Sequence, residues 1–180
     1  MKNLLQLSVC TCNSCEQHYI VGKPFCEFKV YTQWLPDRVD KLIVSESPPP
    51  GPKKDFLYNL HSKDRLRKFL SKIFNVDEKD VLSFLKCRNM FWSMAVKCRP
   101  VSRRVIPRLC KRCVEILVQE IDLLKPRTLI LLGNVARDLW NVAKNHVKHM
   151  PSQIRYMYHP LYIVRFRQDL LGRLVDILLK

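Results

Sequence analysis

The sequence predicts an α/β fold, a three-layer α/β/α sandwich with a central, mainly parallel four-stranded sheet. Short strand-like segments at residues 41–44, 90–96 and 128–132, and a last one at residues 153–158, alternate with amphipathic segments. Strands that alternate with helices in this way form βαβ units, whose strands pair in parallel. A chain of 180 residues can bury a sizeable core, so we expect one domain over residues 1–180.

The third apolar run, residues 128–132, lies between two helical patterns. A continuous apolar run in this setting is typical of a strand that is buried on both faces. Gly133 interrupts the run, and Asn134 stands at the expected N-cap of a helix over residues 135–147. Open α/β sheets bind ligands at the carboxyl ends of their strands, so this turn is a candidate site. An ordinary strand–turn–helix unit without a ligand is the alternative.

The other elements follow from periodicity and from helix breakers. Helical spacing of apolar residues predicts helices at residues 64–74, 77–87, 108–124 and 169–179. Residues 28–35 fit either an extended segment or a short helix. Residues 1–30 are rich in cysteine and lack clear periodicity, so we expect an arm that packs on the domain. The prolines of residues 45–51 predict a rigid loop after the first strand.

The charge of the chain points to a polyanionic partner. Its 32 Lys and Arg residues outnumber 16 Asp and Glu residues, which gives a formal net charge of +16 spread along the sequence. Nucleic acid is the expected partner, while solubility or attraction to acidic lipid are alternatives. No apolar run approaches the roughly 20 residues of a membrane span, and residues 4–7 are too short for a signal peptide. We therefore expect an intracellular protein, in the cytoplasm or nucleoid.

Eight cysteines form two groups, and two of the pairs have C-x-x-C spacing: Cys12 with Cys15, and Cys110 with Cys113. In an intracellular chain this spacing indicates metal binding rather than disulfides. The two pairs are far apart in sequence, so they form either one site that staples the arm or two unrelated features. Free buried cysteines are the remaining alternative.

Three predicted strand ends carry unusual polar groups: Glu46-Ser47-Pro48, Lys97-Cys98-Arg99-Pro100 and His159-Pro160. A proline-rich first loop, a K-C-R-P segment, a strand-Gly-x-x-Ala unit and a terminal Tyr-His-Pro, in this order, resemble the uracil-DNA glycosylase superfamily. The likeness is closest to its iron-sulfur branch, family four, and it covers most of the chain from residue 41 onward. Further matching positions are Pro107, Cys113, Pro126-Arg127, residues 132–136 and residues 158–165.

The resemblance implies catalytic roles for three residues. Glu46 is the candidate carboxylate for water attack and for the developing sugar cation, with Asp55 in reserve. Ser47 stands where the fastest members of the superfamily carry an aspartate, although the iron-sulfur branch also lacks it. His159 is the candidate donor to the carbonyl oxygen of the leaving base; a structural histidine is the alternative.

The resemblance also implies a pocket for a flipped-out base. Phe56 or Tyr58 is expected to stack on the base, unless both belong to the core. Met94 stands where the superfamily usually has an asparagine that reads the edge of uracil, and a thioether cannot replace that amide. Ser93 could replace the asparagine, although its side chain is shorter, and Asn134 is also expected to contact the base.

DNA contacts are expected from two segments. Arg99, Arg103 and Arg104 belong to the basic segment around residues 100–107. In the superfamily, the residues after the histidine form a loop that enters the minor groove, which implies Leu161, Tyr162 and Ile163 as apolar wedges. Arg165 and Arg167 would then contact flanking phosphates. Alternatively, residues 163–164 begin the last helix.

The superfamily pattern further implies a metal site formed by Cys12, Cys15, Cys98 and Cys113. Four thiolates without histidine fit a 4Fe-4S cluster or a structural zinc ion. Cys110 is a rival to Cys113, because the last spacing is one residue shorter than expected.

These observations favour a monomeric DNA glycosylase of base excision repair that removes uracil or another deaminated base. A catalytically inactive DNA- or RNA-binding protein that retains the fold is the alternative from another class, favoured by Met94 and Ser47. An unrelated zinc protein with a basic surface is a third possibility.

Overall fold

The computed structural model describes all 180 residues and contains six strands and ten α-helices. The strands are β1 (Ile20–Gly22), β2 (Lys41–Ser45), β3 (Met90–Met94), β4 (Arg99–Pro100), β5 (Thr128–Leu132) and β6 (Gln153–Met157). The helices are α1 (Lys2–Thr11), α2 (Pro24–Glu27), α3 (Val30–Trp34), α4 (Arg65–Phe74), α5 (Val81–Cys87), α6 (Ile106–Arg112), α7 (Val114–Leu124), α8 (Asn134–Ala143), α9 (Pro160–Phe166) and α10 (Leu171–Leu179). No helix is both long enough and apolar enough to cross a membrane.

The central sheet has four strands in the order β3–β2–β5–β6, and all three pairings are parallel. This confirms the predicted α/β class and the four predicted strands. Every residue of β5 is buried, as its continuous apolar sequence predicts. Helices α4 and α5 connect β2 to β3, whereas α8 connects β5 to β6 in the opposite direction along the sheet. Right-handed crossovers therefore place them on opposite faces of the sheet.

The direction in which the chain crosses the sheet reverses between β2 and β5. From β2 the chain continues to β3 on one side, and from β5 it continues to β6 on the other. In open α/β sheets such a reversal opens a crevice at the carboxyl ends of the two strands. The residues that follow β2 and β5 therefore flank the natural ligand position of this fold.

The N-terminal arm is more ordered than the sequence predicts. Helix α1 buries Leu5 and Val9 and packs against α2, α3 and α7. A disulfide joins Cys10 to Cys26, so the expectation of metal binding rather than disulfides is wrong for these two cysteines. Strand β1 of the arm pairs antiparallel with β4, which ties the arm to the Lys97–Pro100 segment.

Three further boundaries differ from the predictions. The helix expected over residues 108–124 is divided into α6 and α7 at Cys113. Helix α8 has Gly133, with φ +90°, as its N-cap, so Asn134 is its first residue rather than its cap. Residues 160–166, which the resemblance places in a loop, form α9, because Pro160 favours the first helical position and His159 caps the helix.

Candidate active site

The carboxyl edge of the sheet brings together Glu46, Gly133 and His159, which follow β2, β5 and β6. The Gly133 amide donates to the Met157 carbonyl oxygen over 2.8 Å. A β-carbon added at Gly133 would lie 3.8 Å from the β-carbon of His159. Arg103 reaches the same region, with its Nε 4.0 Å from a carboxylate oxygen of Glu46. The predicted catalytic residues Glu46 and His159 are therefore near a common edge, with Arg103 next to both.

The backbone fixes the orientation of the His159 ring. Its Nδ1 accepts a hydrogen bond from the Leu161 amide over 3.3 Å, as the N-cap of α9. Burial lowers the pKa of His159 to about 4, and the positive charge of Arg103 acts in the same direction. A neutral imidazole that accepts at Nδ1 carries its proton on Nε2. At neutral pH, His159 thus offers an N–H donor at its free nitrogen.

The loop after β2 is rigid for reasons beyond its prolines. The Ser47 hydroxyl donates to the Pro48 carbonyl oxygen over 3.0 Å. The Arg99 guanidinium donates to the carbonyl oxygens of Pro49, over 2.7 Å, and Asp55, over 3.0 Å. Arg99 was predicted to contact DNA, but it is buried because it fastens this loop.

Phe56 and Tyr58 lie in the core rather than beside an open pocket. Phe56 is fully buried against Phe25 and Phe28, and it also contacts Tyr58. The Tyr58 hydroxyl donates to the carbonyl oxygen of Trp92. This placement does not fit the stacking role that the resemblance implies for these two rings, because neither ring has an exposed face.

A buried polar network lies beneath the site, and it includes Ser93. The Lys97 ammonium forms an ion pair with Glu120 at 2.7 Å, and both side chains are almost fully buried. Ser93 and Tyr31 also donate to the Glu120 carboxylate, and Lys97 donates to the Met94 carbonyl oxygen. Ser93 is thus committed to this network and does not fit the predicted base-binding role. Of the three acidic residues of α7, only Glu120 lies on the buried face of the helix, at the spacing of its apolar residues, and this was the sequence signal for the network.

The residues predicted to contact DNA have different exposures. Arg103, Arg104 and Arg165 are exposed, as is Tyr162 on α9. Asn134, which was predicted to bind the base, is exposed at the start of α8. Ile163 is fully buried, so it cannot serve as a wedge in this conformation. Leu161 is half-buried. Arg167 is held by Asp169, with a shortest distance of 2.8 Å between guanidinium and carboxylate.

Four cysteines converge where the arm meets the domain. Interaction with the Cys15 thiol lowers the pKa of Cys98 and raises that of Cys113, and Cys12 adds a Coulombic contribution to Cys15 and Cys98. Cys15, Cys98 and Cys113 are buried. The Cys110 thiol is also near Cys113, and burial together with this neighbour raises its pKa, but it contacts the Val135 carbonyl oxygen, 3.8 Å away.

The four thiols are near one another but do not form a ligand shell. No group of three or more His, Cys, Asp or Glu side chains has the arrangement of a metal site. The donor set itself, four cysteines from the arm, the β4 segment and the α6–α7 junction, is the kind that thiophilic metals and iron-sulfur clusters bind. The residue types fit such a group, although the present geometry is not that of a loaded site.

Comparisons with known proteins identify one family. The profile of the uracil DNA glycosylase superfamily matches residues 32–178. No curated protein matches the chain. Among solved structures, a tyrosine-to-glycine mutant of UNG from Nitratifractor salsuginis is 15% identical, with a TM-score of 0.48 over 88% of this chain and 82% of that one. The wild-type UNG structure from the same organism is also 15% identical, with a TM-score of 0.45 over 85% of this chain and 78% of that one.

Proposed function

The chain belongs to the uracil DNA glycosylase superfamily, and from this membership we propose that it is a DNA glycosylase acting on uracil or another deaminated base. The observation that carries the proposal is the geometry of His159. Its ring is neutral, its Nδ1 is occupied by the Leu161 amide, and its Nε2–H is directed away from that hydrogen bond. Such a donor can stabilise negative charge on a leaving base.

The proposed reaction breaks the bond between the deoxyribose C1′ and the base nitrogen, and a water oxygen forms the new bond to C1′. The electron pair of the broken bond moves to the base, where the His159 Nε2–H donates to the carbonyl oxygen that gains charge. The Glu46 carboxylate stabilises the positive charge that develops on the sugar and orients the water. The water loses one proton to the solvent as its oxygen bonds to C1′, and the departing base anion takes up one proton from the solvent. Arg103, 4.0 Å from Glu46, holds that carboxylate at the edge of the crevice.

The asparagine side chain that usually reads the base in the superfamily is absent from this chain, so other groups must select the base. Met94 provides no side-chain donor, and the Ser93 hydroxyl is engaged with Glu120 and Lys97. The substrate is therefore proposed only as a deaminated base. The second candidate function, a DNA-binding protein without activity, is favoured by Met94 and by the Ser47 hydroxyl, which bonds to its own loop.

An excision assay separates these two functions. The protein is incubated with oligonucleotides that contain uracil, hypoxanthine or xanthine, and alkali-labile abasic sites are measured. We expect abasic sites with at least one of these bases. If none of the three is excised while the oligonucleotides still bind, the inactive binding protein is the better assignment.

We further propose that Cys12, Cys15, Cys98 and Cys113 bind a 4Fe-4S cluster, with structural zinc as the second candidate. Support comes from the burial of three of these thiols and from their mutual interaction. A bound cluster would fasten the arm to the β4 segment and to the α6–α7 junction. Cys113 is preferred over Cys110, because the Cys110 thiol contacts the Val135 carbonyl oxygen instead.

Removal of one proposed ligand should abolish metal binding. Protein purified without oxygen is expected to be brown, and Cys98→Ala is expected to be colourless and to unfold at lower temperature. Absorbance and metal analysis provide the measurement, and Cys87→Ala, which removes an exposed free thiol, is the matched control. A colourless parent protein with stoichiometric zinc would exclude iron, and a parent protein without metal would contradict the site.

The basic surface predicts salt-dependent binding to DNA. Affinity should fall steeply between about 50 and 200 mM salt, with a log–log slope of several units, because phosphate contacts release counterions. Arg104→Ala should reduce the slope by about one unit. Arg127→Ala is the control, since this exposed residue precedes β5 and so lies at the opposite edge of the sheet. Equal affinity across the salt range would contradict the nucleic-acid partner.

A further inference from the structure

An open groove lies between helices α4, α9 and α10. Its volume is about 790 Å³, and neither Glu46 nor His159 lines it. Six of its ten lining residues are apolar, two from each helix: Phe69, Ile73, Leu161, Val164, Leu171 and Val175. The cleft that these six residues form with their polar neighbours on the same helices is called the three-helix groove.

The floor of the three-helix groove is fixed by the core beneath it. Phe69 and Ile73 are half-buried and pack against the core. Val164 and Leu171, by contrast, are 40% and 38% exposed. Helix α9 packs against both α4 and α10, which holds the walls in place. A contiguous apolar surface in a cleft is typical of an interaction site, whereas single exposed apolar residues are common.

The α4 side of the three-helix groove is lined by three cations, Arg65, Lys68 and Lys72. All three are exposed, and their spacing of three and four residues places them along one face of the helix. None of them forms an ion pair with a carboxylate. Like charges at this spacing repel one another, so an anionic partner would relieve a cost that the free protein carries.

The acidic residues of the neighbouring segments are engaged elsewhere. Asp64 caps α4 with its carboxylate. Asp169 pairs with Arg167, and Asp176 pairs with Lys180. No acidic residue lines the three-helix groove. The positive charge along α4 is therefore not neutralised within the chain, and a partner that fits it must carry acidic groups beside its apolar ones.

The walls of the three-helix groove select a helical partner. All its lining residues except Gln168 belong to α-helices, whose backbone groups bond within their own helix. An extended segment therefore finds no strand edge with which to pair. A helix satisfies its own backbone and presents apolar side chains at every third or fourth position. The ten residues of α4 extend for about 15 Å, which is enough to flank about three turns of such a helix.

Duplex DNA and a lipid surface fit the three-helix groove less well. Duplex DNA meets a protein mainly through phosphates, which would leave the apolar floor without an apolar partner. A lipid surface is broad, and it does not fill a cleft between helices. The combination of apolar floor, concave shape and unneutralised cations favours a protein helix that is apolar on one face and acidic beside it.

We propose that the three-helix groove binds an acidic amphipathic helix of a partner protein. Its apolar side chains enter the groove, and its carboxylates pair with Arg65, Lys68 and Lys72. The inference goes beyond the proposed glycosylase function and does not depend on it, because no residue of the catalytic edge lines the groove.

The test measures binding of three fluorescent helical peptides by anisotropy. The acidic peptide has leucine at every third or fourth position and glutamate beside these leucines. The alanine peptide replaces the leucines by alanine, and the lysine peptide replaces the glutamates by lysine. We expect the acidic peptide to bind the parent protein at least about tenfold more tightly than either comparison peptide, because it alone combines apolar anchors with negative charge.

Charge reversal on the protein gives the sharper result. Lys68→Glu/Lys72→Glu should weaken binding of the acidic peptide about tenfold and should strengthen binding of the lysine peptide. Lys144→Glu/Lys148→Glu is the matched control, since these two lysines are also exposed and four residues apart but lie outside the groove. It changes the net charge equally and should leave both affinities nearly unchanged.

Leu171→Ser tests the apolar floor and should weaken the acidic peptide without changing its salt dependence. Circular dichroism and thermal unfolding verify that each variant folds, and Lys68→Ala/Lys72→Ala replaces the charge reversal if that variant does not. No binding of the acidic peptide overturns the proposal. So does equal binding of the acidic and alanine peptides, which would mean attraction by charge alone, and so does an equal loss in the two double lysine variants.

A DNA-binding role for the same cations is also distinguished. If the acidic peptide does not bind, and Lys68→Glu/Lys72→Glu lowers DNA affinity more than Lys144→Glu/Lys148→Glu does, the groove is a nucleic-acid surface and the proposal is overturned. The peptide measurements contain no chemical step. The presence or absence of base excision therefore leaves their interpretation unchanged.

Discussion

Replacing His159 with alanine is expected to lower the rate of base excision by about 10²–10³-fold while DNA binding changes little. The Nε2–H contributes mainly when charge develops on the leaving base, so its loss affects the transition state more than the bound ground state. Single-turnover kinetics with the base that the parent protein excises provide the measurement. His146→Ala is the matched control, because His146 is exposed and lies beyond α8, away from the sheet edge.

The same variant should change the acid sensitivity of folding. The pKa of His159 is lowered by burial to about 4 from an ordinary value of 6.5, so the unfolded chain binds a proton in that interval that the folded chain does not. The contribution of His159 to the free energy of unfolding is therefore largest above about pH 6.5 and decreases as the pH falls towards about 4. In urea unfolding, the free energy of unfolding of His159→Ala should decrease less across this pH interval than that of the parent protein.

For the excision experiment, an unchanged rate of base excision in His159→Ala would contradict the assignment of His159 as the donor.

Replacing Glu120 with alanine is expected to lower the free energy of unfolding by about 3–5 kcal/mol. The change leaves the Lys97 ammonium buried without a countercharge, and it also removes the acceptor of the Tyr31 hydroxyl. Lys97→Met/Glu120→Gln should recover much of the loss, because it removes the buried charges and keeps an acceptor. Urea unfolding monitored by tryptophan fluorescence provides the measurement.

Asp169→Ala is the comparison for an ion pair at the surface. Asp169 pairs with Arg167 in a solvent-exposed position, where water and salt screen the attraction. Its removal should therefore change stability far less than the removal of Glu120. Similar losses for the two variants would mean that the buried network does not depend on its charges.

The sequence was sufficient to predict the sheet because three of its four strands, β2, β3 and β5, are almost wholly buried. A strand such as β5 must be apolar throughout, and its run is visible without knowledge of its neighbours. Helices α1 and α9 were harder to predict. The few buried residues of α1 are mixed with polar residues and cysteines, and α9 begins at a proline that also fits a loop. Pro160 was in fact the available signal, since proline favours the first turn of a helix.

The positions of Glu46 and His159 could be predicted because parallel strands end at one edge. The directions of the other side chains could not, because they depend on contacts across the fold. Arg99 looked like a DNA contact, yet it is buried against backbone carbonyls. Ser93 looked like a pocket residue, yet it faces Glu120, which is distant in sequence. The charge of a residue does not reveal whether its partner is a phosphate or a carbonyl oxygen of the same chain.

The central place of β2 has a consequence for the synthesis of the protein. β2 pairs with β3 on one side and with β5 on the other, and β5 is made long after β2. While the ribosome adds the intervening residues, one edge of β2 has no partner, and the apolar residues Leu42, Ile43 and Val44 lie along it. Unpaired apolar edges associate with other chains. Nascent chains that stop before residue 128 are therefore expected to aggregate or to bind chaperones. Once β5 has left the ribosome, it pairs with β2 and covers this edge.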